Sequence, residues 1–582
     1  MFLNILKITD NIATVELNKT SSVLPDLLNM HVVFESGNSR ILGEVKDIAG
    51  SSVDIKFLGE FTERGFITGI IRKPSLDSRV RMINEEELKL IIGTKQPGNF
   101  QLGYSPLYNN YPIYANVNEL FSNHFGILGA SGSGKSCGVA RIIQNVFANP
   151  ETPAYNANLI FFDAYGEYKN AFSQMNRINQ TYNYKFITTN KTEEGESDLK
   201  IPIYLLSLDD VALLLNATEH SQLTILERAL KLVRIFARKD EDAIKIKNHL
   251  IAKAIMAILF SSMTSAGKKN EIFKIIHNTN TPEFNFNSPV QGIGFTRSFS
   301  ECFEIDSKGN FSEAVLINEY ILKFIDESLE DKITDENQYF TIYDLETALN
   351  FTLISEGFQE NTALHDAATV LLVRLHSIVN SRNGELFNYP EFITLEQFIT
   401  ELVVKNNSRC QIININLEGV DDNLAKVMVK IFARMFFEFA KSRPTRAAIP
   451  FHLFLEEAHR YVQKDQDVFL IGYNIFDRIA KEGRKYGVLL DIISQRPVEL
   501  SDTVVSQISN FLVFKMTHPA DIAYIEKMLP GVSVDVIEKM SSLQPGTCVA
   551  FGSAFKIPFI TKMEMPNPSP YSSNCDVVTA WK

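Results

Sequence analysis

The first part of the chain alternates short apolar runs with turn-forming residues. From Asn11 to about Ile71, the runs are rich in β-branched and aromatic residues: IATVEL, MHVVFES, RILGEVKDIA, SSVDIKFLGE and FITGIIRK. Strands this short and this closely spaced are typical of a small barrel. The segment from Glu85 to Gly93 has the periodicity of a helix. The pattern therefore predicts an N-terminal β-barrel unit over residues 1–95 that ends in a helix.

A second pattern begins near Gly126, where apolar runs are each followed by turn residues and then by helical periodicity. The runs are FGILG, NLIFFD, CQIININL, FHLFLEE, VLLDIIS and FLVFKM. Strands that are apolar on both faces are typical of a parallel sheet covered by helices. We therefore expect an α/β core, in two parts over residues 96–205 and 401–565.

The two parts of the expected core are separated by a long segment of amphipathic helical periodicity. It runs from about Leu206 to Thr400 and contains polar loops such as NTNTPEFNFNSPVQGIG. We interpret residues 206–400 as a helical subdomain inserted into the α/β unit. Residues 566–582 begin with PNPSPYSSN, and this Pro/Ser density predicts an extended C-terminal arm that packs on a neighbour or is loose.

Composition limits the classes of function. With 582 residues, the chain is long enough for roughly three or four domains. Its formal net charge of -12 excludes a global positive field that would draw it onto nucleic acid, so any DNA contact must be local. The sequence has no basic leader and no long apolar run, which predicts a cytoplasmic protein without a membrane anchor. The cysteines lack metal-ligand spacing, which disfavours a zinc or disulfide framework; they are Cys137, Cys302, Cys410, Cys548 and Cys575.

The strongest chemical motif is a phosphate-binding loop in FGILGASGSGKSCGVARIIQNVF. Gly129, Gly134, Lys135 and Ser136 fit the pattern G-x-x-x-x-G-K-[ST], between an apolar strand and a periodic helix. We expect Lys135 to neutralise the β- and γ-phosphates of ATP and Ser136 to ligate Mg²⁺. A Gly/Ser-rich turn before a helix is the alternative. The other residues predicted to line the phosphates are Ala130, Ser131, Gly132, Ser133 and Cys137.

A second motif, PFHLFLEEAHRY, supplies two carboxylates at the end of an apolar strand. We assign Glu457 as the catalytic carboxylate that orients or deprotonates the attacking water. Glu456 is predicted to support Mg²⁺. A solvated acidic helix start is the alternative interpretation. The strands NLIFFD and CQIININL lie in the sequence between Lys135 and Glu457, and we expect an additional strand between the two nucleotide motifs.

These motifs together resemble the HerA/FtsK superfamily, and HerA in particular. The run LFSNHFGILGASGSGKS is similar to the HerA phosphate-loop signature, including the preceding His124. The run LIFFDAYGEY resembles the family's D-x-x-G-E-Y element, and DRIAKEGRKYGVLLDIISQRPVEL resembles its arginine-finger and sensor segment. The resemblance extends over nearly the whole chain and implies a RecA-like (ASCE) P-loop ATPase core. Most relatives have Asp where this chain has Glu456, and the longer side chain puts the metal contact in doubt.

The resemblance also implies roles for individual residues. It places an arginine finger, which acts on the neighbouring subunit, at Arg484 or, as the less favoured alternative, at Arg478. It makes Gln495 a γ-phosphate sensor with Arg496 beside it. A solvated basic loop is the alternative for Arg484. Nucleotide contacts are implied for two acids, which could equally be a strand-end cap and a surface charge; they are Asp163 and Glu167.

In function, the resemblance implies a hexamer that uses ATP and Mg²⁺ to draw double-stranded DNA through its channel. It implies a separate partner, a nuclease or a sirtuin-like NADase, in DNA-end processing or antiphage defence. We expect this partner to dock on the N-terminal barrel. Candidate phosphate contacts alternate with acids in LVRIFARKDEDAIKIKNH, which fits a solvated helical face better; they are Arg234, Arg238, Lys239, Lys245 and Lys247.

Three other functions remain open from the sequence. The first is an ATP-gated scaffold that assembles an effector without obligatory movement along DNA. The second is a secretion or conjugation ATPase of the same superfamily, and the absence of a long apolar run disfavours only its membrane-anchored form. The third is a small-molecule kinase, which would be active as a monomer without an arginine from a neighbour.

Overall fold

The computed structural model describes residues 2–18, 27–333, 337–355, 362–464, 470–528, 534–571 and 577–581. Cys575, one of the cysteines considered above, lies outside these described residues. Within them, no helix is both long and apolar enough to cross a membrane.

The N-terminal unit is a curled antiparallel sheet of seven strands. Its strands are β1 (Phe2–Ile8), β2 (Ile12–Leu17), β3 (His31–Ser36), β4 (Ser39–Ala49), β5 (Ser52–Thr62), β6 (Gly65–Thr68) and β7 (Arg79–Met82). They pair in the order β1-β2-β5-β4-β3-β7, with β6 also on β5. Buried and half-buried residues alternate along the whole of β5, as expected for a strand with one face on a core. The pattern of the sequence missed β1 and β7, and only Phe66–Thr68 of FITGIIRK lie in a strand of this sheet.

The remaining strands form a large central sheet and two small hairpins. In chain order they are β8 (Asn99–Ser105), β9 (Tyr111–Asn116), β10 (Phe125–Leu128), β11 (Asn158–Asp163), β12 (Tyr184–Thr188), β13 (Ser197–Asp198), β14 (Pro289–Gly292), β15 (Phe295–Ser298), β16 (Val404–Lys405), β17 (Ser408–Arg409), β18 (Ile412–Asn416), β19 (Phe451–Leu455), β20 (Val488–Ser494), β21 (Asn510–Phe514), β22 (Thr547–Gly552) and β23 (Phe559–Lys562). The pairs β14–β15 and β16–β17 are separate two-stranded hairpins.

The central sheet has 12 strands in the order β13-β12-β18-β11-β19-β20-β10-β21-β22-β23-β8-β9. The strands from β13 to β21 are parallel, and those from β21 to β9 alternate in direction. All six predicted apolar runs lie in the parallel part of the sheet, so the expectation of a parallel sheet is confirmed for them, whereas the antiparallel strands at one end were not predicted. Runs such as NFQLGYS in β8 mix polar and apolar residues, so they lack the continuous apolar signal of a buried parallel strand.

Helices cover both faces of this sheet. In chain order they are α1 (Glu85–Ile92), α2 (Val117–Phe121), α3 (Lys135–Phe147), α4 (Tyr168–Phe172), α5 (Leu208–Leu214), α6 (His220–Phe236), α7 (Glu241–Phe260), α8 (Ser265–Thr279), α9 (Ala314–Leu322), α10 (Ile342–Ser355), α11 (Thr362–Val379), α12 (Leu395–Leu402), α13 (Asp422–Ser442), α14 (Ile475–Tyr486), α15 (Asp502–Gln507), α16 (Pro519–Met528), α17 (Val534–Ser542) and α18 (Val577–Ala580). Helix α1 has the predicted position, and Gly93 caps its C-terminal end.

The two faces of the sheet pack against different parts of the chain. On one face, α13 and the helical region from α5 to α12 share a single apolar core with the strands. On the other face, α3 and α4 pack together with residues of the N-terminal sheet such as Phe61 and Phe66. The N-terminal unit is also held by an ion pair between Glu44 and Lys539 of α17. Each face of the central sheet therefore packs against a different unit of the molecule.

The tail packs against its own chain as far as Tyr571. The side chain of Gln144 on α3 accepts a hydrogen bond from the backbone N–H of Asn567 at 2.9 Å and donates to the carbonyl of Pro568. The backbone N–H of Tyr571 donates to the carbonyl of Glu167 at 2.9 Å. This part of the predicted arm therefore lies across α3 and α4, close to the phosphate loop.

Candidate active site

The motifs meet where four neighbouring strands of the central sheet end. Ladder partners align Leu128 with Ser494, Ser494 lies on β20, and β20 in turn pairs with β19 and β19 with β11. The residues that follow these strand ends are therefore brought together along the carboxyl edge of a parallel sheet, where ligands of such folds bind. They are Gly129, Gln495, Glu456 and Asp163 at the end of β11.

The strand that separates the phosphate-loop strand from the acidic strand is β20. We expected an additional strand between the two nucleotide motifs and considered NLIFFD and CQIININL, which precede Glu457 in the chain. In the sheet, those two strands lie on the far side of β19. The intervening strand comes from a segment that follows the acids, and its end carries Gln495. Chain order could not reveal this because parallel crossovers decouple sequence order from sheet order.

The phosphate loop is held open by glycines. Gly129 has φ +157°, and a Cβ at this position would lie 2.7 Å from Cβ of Phe514 and 2.8 Å from Oγ of Ser133. Gly134 has φ +101°, and its Cβ would lie 3.0 Å from the backbone nitrogen of Gly546. Helix α3 then begins at Lys135, and the N–H groups of its first turn lack helical acceptors. The loop is therefore shaped to bring backbone donors against an anion.

Two polar side chains of the loop face the acids. The ammonium of Lys135 donates to the carbonyl of Ala130 at 3.1 Å and is buried. Burial lowers the pKa of Lys135, and the charges of Glu457, Glu456 and Glu167 oppose this shift. The hydroxyl of Ser136 is hydrogen-bonded to the carboxylate of Glu167, whose pKa is raised by burial. The D-x-x-G-E-Y element thus brings an acid to the start of α3.

Glu457 occupies a strained backbone position. Its φ is +49°, in the left-handed region that side chains other than glycine rarely adopt. Its Oε2 lies 3.2 Å from Nδ1 of His459 but makes no hydrogen bond within the described residues. Burial raises the pKa of Glu457, while Lys135 and a backbone hydrogen bond from Gln495 act in the opposite direction. A carboxylate with a raised pKa and an unused oxygen suits a general base.

Asp163 is bonded as a strand-end cap. One carboxylate oxygen accepts the backbone N–H of Glu167 at 3.0 Å, and the other accepts the N–H of Tyr168 at 3.0 Å and the amide of Asn414 at 2.8 Å. The neighbouring Glu456 accepts the backbone N–H of Ala164 at 3.2 Å. Burial, and then the charge of Asp163, raise the pKa of Glu456 well above its usual range. The geometry therefore favours the cap alternative for Asp163 over direct contact with a nucleotide.

The donor set fits a nucleotide triphosphate with a divalent cation. At this site, the buried side-chain oxygens without a hydrogen-bond partner within the described residues include Ser133 Oγ, Glu167 Oε2 and Glu457 Oε2. Buried polar atoms without partners are costly unless a ligand satisfies them. The hydroxyl of Ser136 with the carboxylates of Glu167 and Glu456 could hold Mg²⁺, which prefers oxygen ligands. At the mouth of the site, Gln495 and Cys137 are half-buried, and the exposed residues are Ser131, Gly132 and Arg496.

Arg484 lies at the opposite edge of the sheet. Helix α14 runs back along the sheet and ends at Tyr486, just before β20 begins. The exposed Arg484 borders an apolar groove of about 320 Å³, together with His452 and Leu489 near the starts of β19 and β20. A strand of seven residues separates this edge from Gln495, a distance of roughly 20 Å.

The alternative finger is engaged within its own subunit. The guanidinium of Arg478 lies over the rings of Phe437 and Tyr473, at 5.5 Å and 5.6 Å from the ring centroids. Such cation–π contacts hold an arginine in place. The exposed Arg484 is therefore the better candidate for reaching a neighbour.

Sequence reasoning did not assign roles to several polar residues of the site. His459 lies between Glu457 and Ser494, with Nδ1 3.3 Å from the Ser494 hydroxyl. Asn414 of β18 fixes Asp163. The guanidinium of Arg460 contributes to the electrostatics of Glu457 and lies over the ring of Tyr165, 5.7 Å from its centroid. His459 and Arg460 directly follow the acids in EEAHRY, so their proximity was a usable signal, whereas Asn414 lies in a strand that only the sheet order brings near.

Comparison with known proteins agrees with this arrangement. Residues 100–292 match the family model described as the central domain of the helicase HerA. The chain is 28% identical over 212 residues to the DNA double-strand break repair helicase HerA of Saccharolobus solfataricus, a match that covers 35% of this chain and 42% of that protein. The match thus spans less than half of this HerA relative.

A longer match exists with a second HerA relative. The probable DNA double-strand break repair helicase HerA of Methanocaldococcus jannaschii is 23% identical over 559 residues, 93% of this chain and 91% of that protein. Among solved structures, VirB4 of Thermoanaerobacter pseudethanolicus is similar with a TM-score of 0.45 and 14% identity, over 81% of this chain and 98% of the other. The plasmid coupling protein TrwB in complex with the ATP analogue ADPNP gives 0.41 and 12%, over 83% and 93%.

Proposed function

We propose that this chain is an ATP-dependent, ring-forming double-stranded DNA translocase or helicase of the HerA type. It hydrolyses ATP with Mg²⁺ at the interfaces between subunits, in a homo-oligomer that we take to be a hexamer. It works with a separate effector, a nuclease or a sirtuin-like NADase, in DNA-end processing or antiphage defence.

The position of Arg484 carries the proposal. The phosphate loop, Glu457 and Gln495 share the carboxyl edge of the sheet, whereas Arg484 is exposed at the amino edge. Separated by roughly 20 Å of strand, Arg484 cannot reach the phosphates of its own subunit. A subunit that places its amino edge against the carboxyl edge of the next would complete the site. Head-to-tail contacts of this kind close into rings.

The chemistry follows from the residues already described. Backbone N–H groups and Lys135 hold the triphosphate, and Gln495 lies where it can contact the γ-phosphate and the attacking water. Glu457 orients that water and takes its proton as the P–O bond to ADP breaks. Mg²⁺ would neutralise charge on the phosphate oxygens. The arginine of the neighbour stabilises the charge that spreads over the transferred phosphoryl group.

DNA as the substrate is supported by the HerA match and by relatives that are named as DNA double-strand break repair helicases. The basic residues between α6 and α7 give weaker support. Arg238 is bonded to Asp240 at 2.8 Å, and Lys247 donates to the carbonyl of Arg238. Arg238 lies between α6 and α7 and Lys247 lies on α7, so both cations stabilise the connection between these two helices. The proposal of a separate effector protein rests on the family resemblance.

The test is ATPase activity with and without long duplex DNA, measured alongside particle mass. We expect a ring-sized particle whose ATP turnover rises on duplex DNA. A monomer with full ATPase activity that ignores DNA would contradict the proposal. The scaffold alternative is separated by Glu457→Gln: a scaffold would keep its effector function with ATP bound, whereas a translocase would lose it.

A further inference from the structure

His124 connects the phosphate-loop strand to the helix that carries Arg484. It directly precedes β10, whose other end leads into the phosphate loop. Its Nδ1 accepts the backbone N–H of Leu490 at 3.0 Å, and its Nε2 lies 3.0 Å from the carbonyl of Ala480. Since a backbone N–H can only donate, Nδ1 is the acceptor and Nε2 carries the proton. The ring is therefore neutral and uses both of its nitrogens.

The carbonyl of Ala480 lies one turn before Arg484 on α14. In an α-helix, the backbone N–H of residue 484 donates to the carbonyl of residue 480. His124 therefore donates to the same oxygen that holds the backbone of Arg484 in the helix. On its other side it bonds to β20, the strand that ends at Ser494, just before Gln495. The backbone carbonyl of His124 also accepts the N–H of Ser509, just before β21.

We infer that His124 is a positioning residue that sets Arg484 relative to the phosphate-loop strand of the same subunit. This inference rests on the proposed function, in which Arg484 acts on the site of the neighbouring subunit. A shift of β10 on nucleotide binding would move the imidazole, and the imidazole would move α14. The nucleotide state of one subunit would then be transmitted to the site of the next.

Two substitutions separate the two bonds of the ring. The amide nitrogen of Gln in His124→Gln can occupy the place of Nε2 and donate to Ala480. The shorter Asn in His124→Asn can accept the N–H of Leu490 but cannot reach Ala480. We expect His124→Asn to lower the kcat of the assembled, DNA-stimulated ATPase about tenfold, and His124→Gln to stay within about threefold of wild type. The Kd of an ATP analogue should change by no more than about twofold in both, because the phosphate loop is intact.

A double-mutant cycle decides between positioning and a general structural role. If His124 acts through Arg484, adding His124→Asn to the Arg484→Ala variant should lower kcat by a further factor of less than about two. Ser122→Ala, on an exposed neighbour, is the matched control and should leave kcat unchanged. His124→Phe, which keeps an aromatic ring but removes both hydrogen bonds, replaces His124→Asn if the latter does not fold, with the same expectation.

Three outcomes would overturn the inference. They are an additive loss in the Arg484→Ala background, equal damage from His124→Gln and His124→Asn, and a loss of nucleotide affinity that matches the loss of kcat. If Arg484→Ala alone leaves kcat unchanged, the proposed function fails and the inference fails with it. If Arg484→Ala lowers kcat but the losses add, only the role of His124 is refuted.

Discussion

The two edges of the central sheet carry polar groups of different kinds. At the carboxyl edge, Glu457 has a left-handed backbone, and buried oxygens of Ser133, Glu167 and Glu457 lack partners within the described residues. At the amino edge, both ring nitrogens of His124 are bonded, and Arg484 extends into solvent. One edge is thus prepared to receive a ligand and the other to deliver a cation.

Under the proposed function, these two edges are the two halves of one site, and they cannot meet within one subunit. Strain and unpaired polar atoms persist where a ligand will satisfy them. An exposed arginine on a well-bonded helix needs little reorganisation to stabilise a transition state. The experiments below test whether the halves belong to one reaction.

Removal of the Arg484 guanidinium should have the largest effect. Arg484→Ala is expected to lower the kcat of ATP hydrolysis by about 10³-fold, because an arginine that contacts the transferred phosphoryl group contributes this much in related chemistry. The measurement is steady-state ATPase activity of the assembled protein on duplex DNA. Lys485→Ala, on the adjacent exposed cation, is the control and should change kcat little.

Mixing subunits sharpens the same test. If the arginine acts on a neighbour, added Arg484→Ala subunits should lower the activity per wild-type subunit as their proportion rises. Unchanged activity per wild-type subunit would refute the shared site. A loss from Arg478→Ala that exceeds the loss from Arg484→Ala would exchange the two assignments.

Removal of the carboxylate at the other edge should have the next largest effect. Glu457→Gln keeps the shape of the side chain but cannot take a proton, so kcat should fall by about 10²-fold while ATP remains bound. Binding of a fluorescent ATP analogue and single-turnover hydrolysis measure the two quantities separately. Glu499→Gln, on an exposed acid, serves as the control. Equal losses of affinity and of turnover would make Glu457 a structural residue.

Motifs that are contiguous in sequence were predictable, and contacts made by sheet order were not. The phosphate loop lies within a few residues, and its glycines are required by positive φ angles that the pattern already implies. By contrast, the bonds of Asp163 to Asn414 and of His124 to Ala480 join residues that are far apart in the chain. Their distances depend on crossover connections, which no local periodicity encodes.

The strands of the fold show the same limit. The apolar runs of β10, β11, β19 and β20 were recognised because both of their faces are buried. The runs of β8 and β9 were missed because their polar residues weaken the signal. The inserted helical region also contains the hairpin β14–β15, with only four residues in each strand. Short and mixed strands are set by their partners more than by their own sequence.

Substitution of Asp163 tests whether this acid of the carboxyl edge has a structural role. Each of its oxygens accepts from at least one N–H group, so the amide nitrogen of Asp163→Asn faces donors in either orientation. We expect the free energy of unfolding to fall by about 2–3 kcal/mol, since buried donors lose their acceptor. Thermal unfolding without nucleotide measures this. The exposed Asp198→Asn is the control. A variant of normal stability that cannot hydrolyse ATP would instead make Asp163 a ligand of the nucleotide or its metal.

Acid should weaken the fold through two buried histidines, His124 at the amino edge and His31 on β3 of the N-terminal sheet. Burial lowers the pKa of His124 and of His31 to about 4. Between pH 6.5 and pH 4 the unfolded chain binds protons that the folded chain excludes, so stability falls as the pH is lowered through this window.

At pH 5 each histidine should cost about 2 kcal/mol relative to pH 7. Thermal unfolding from pH 7 to pH 5 measures the loss, and His31→Gln should reduce its slope. His220→Gln, on an exposed histidine, is the matched control. A slope that His31→Gln does not alter would mean that the ring of His31 becomes protonated while the protein is still folded. The contact between the N-terminal sheet and the central sheet would then open at a higher pH than the one at which the central sheet unfolds.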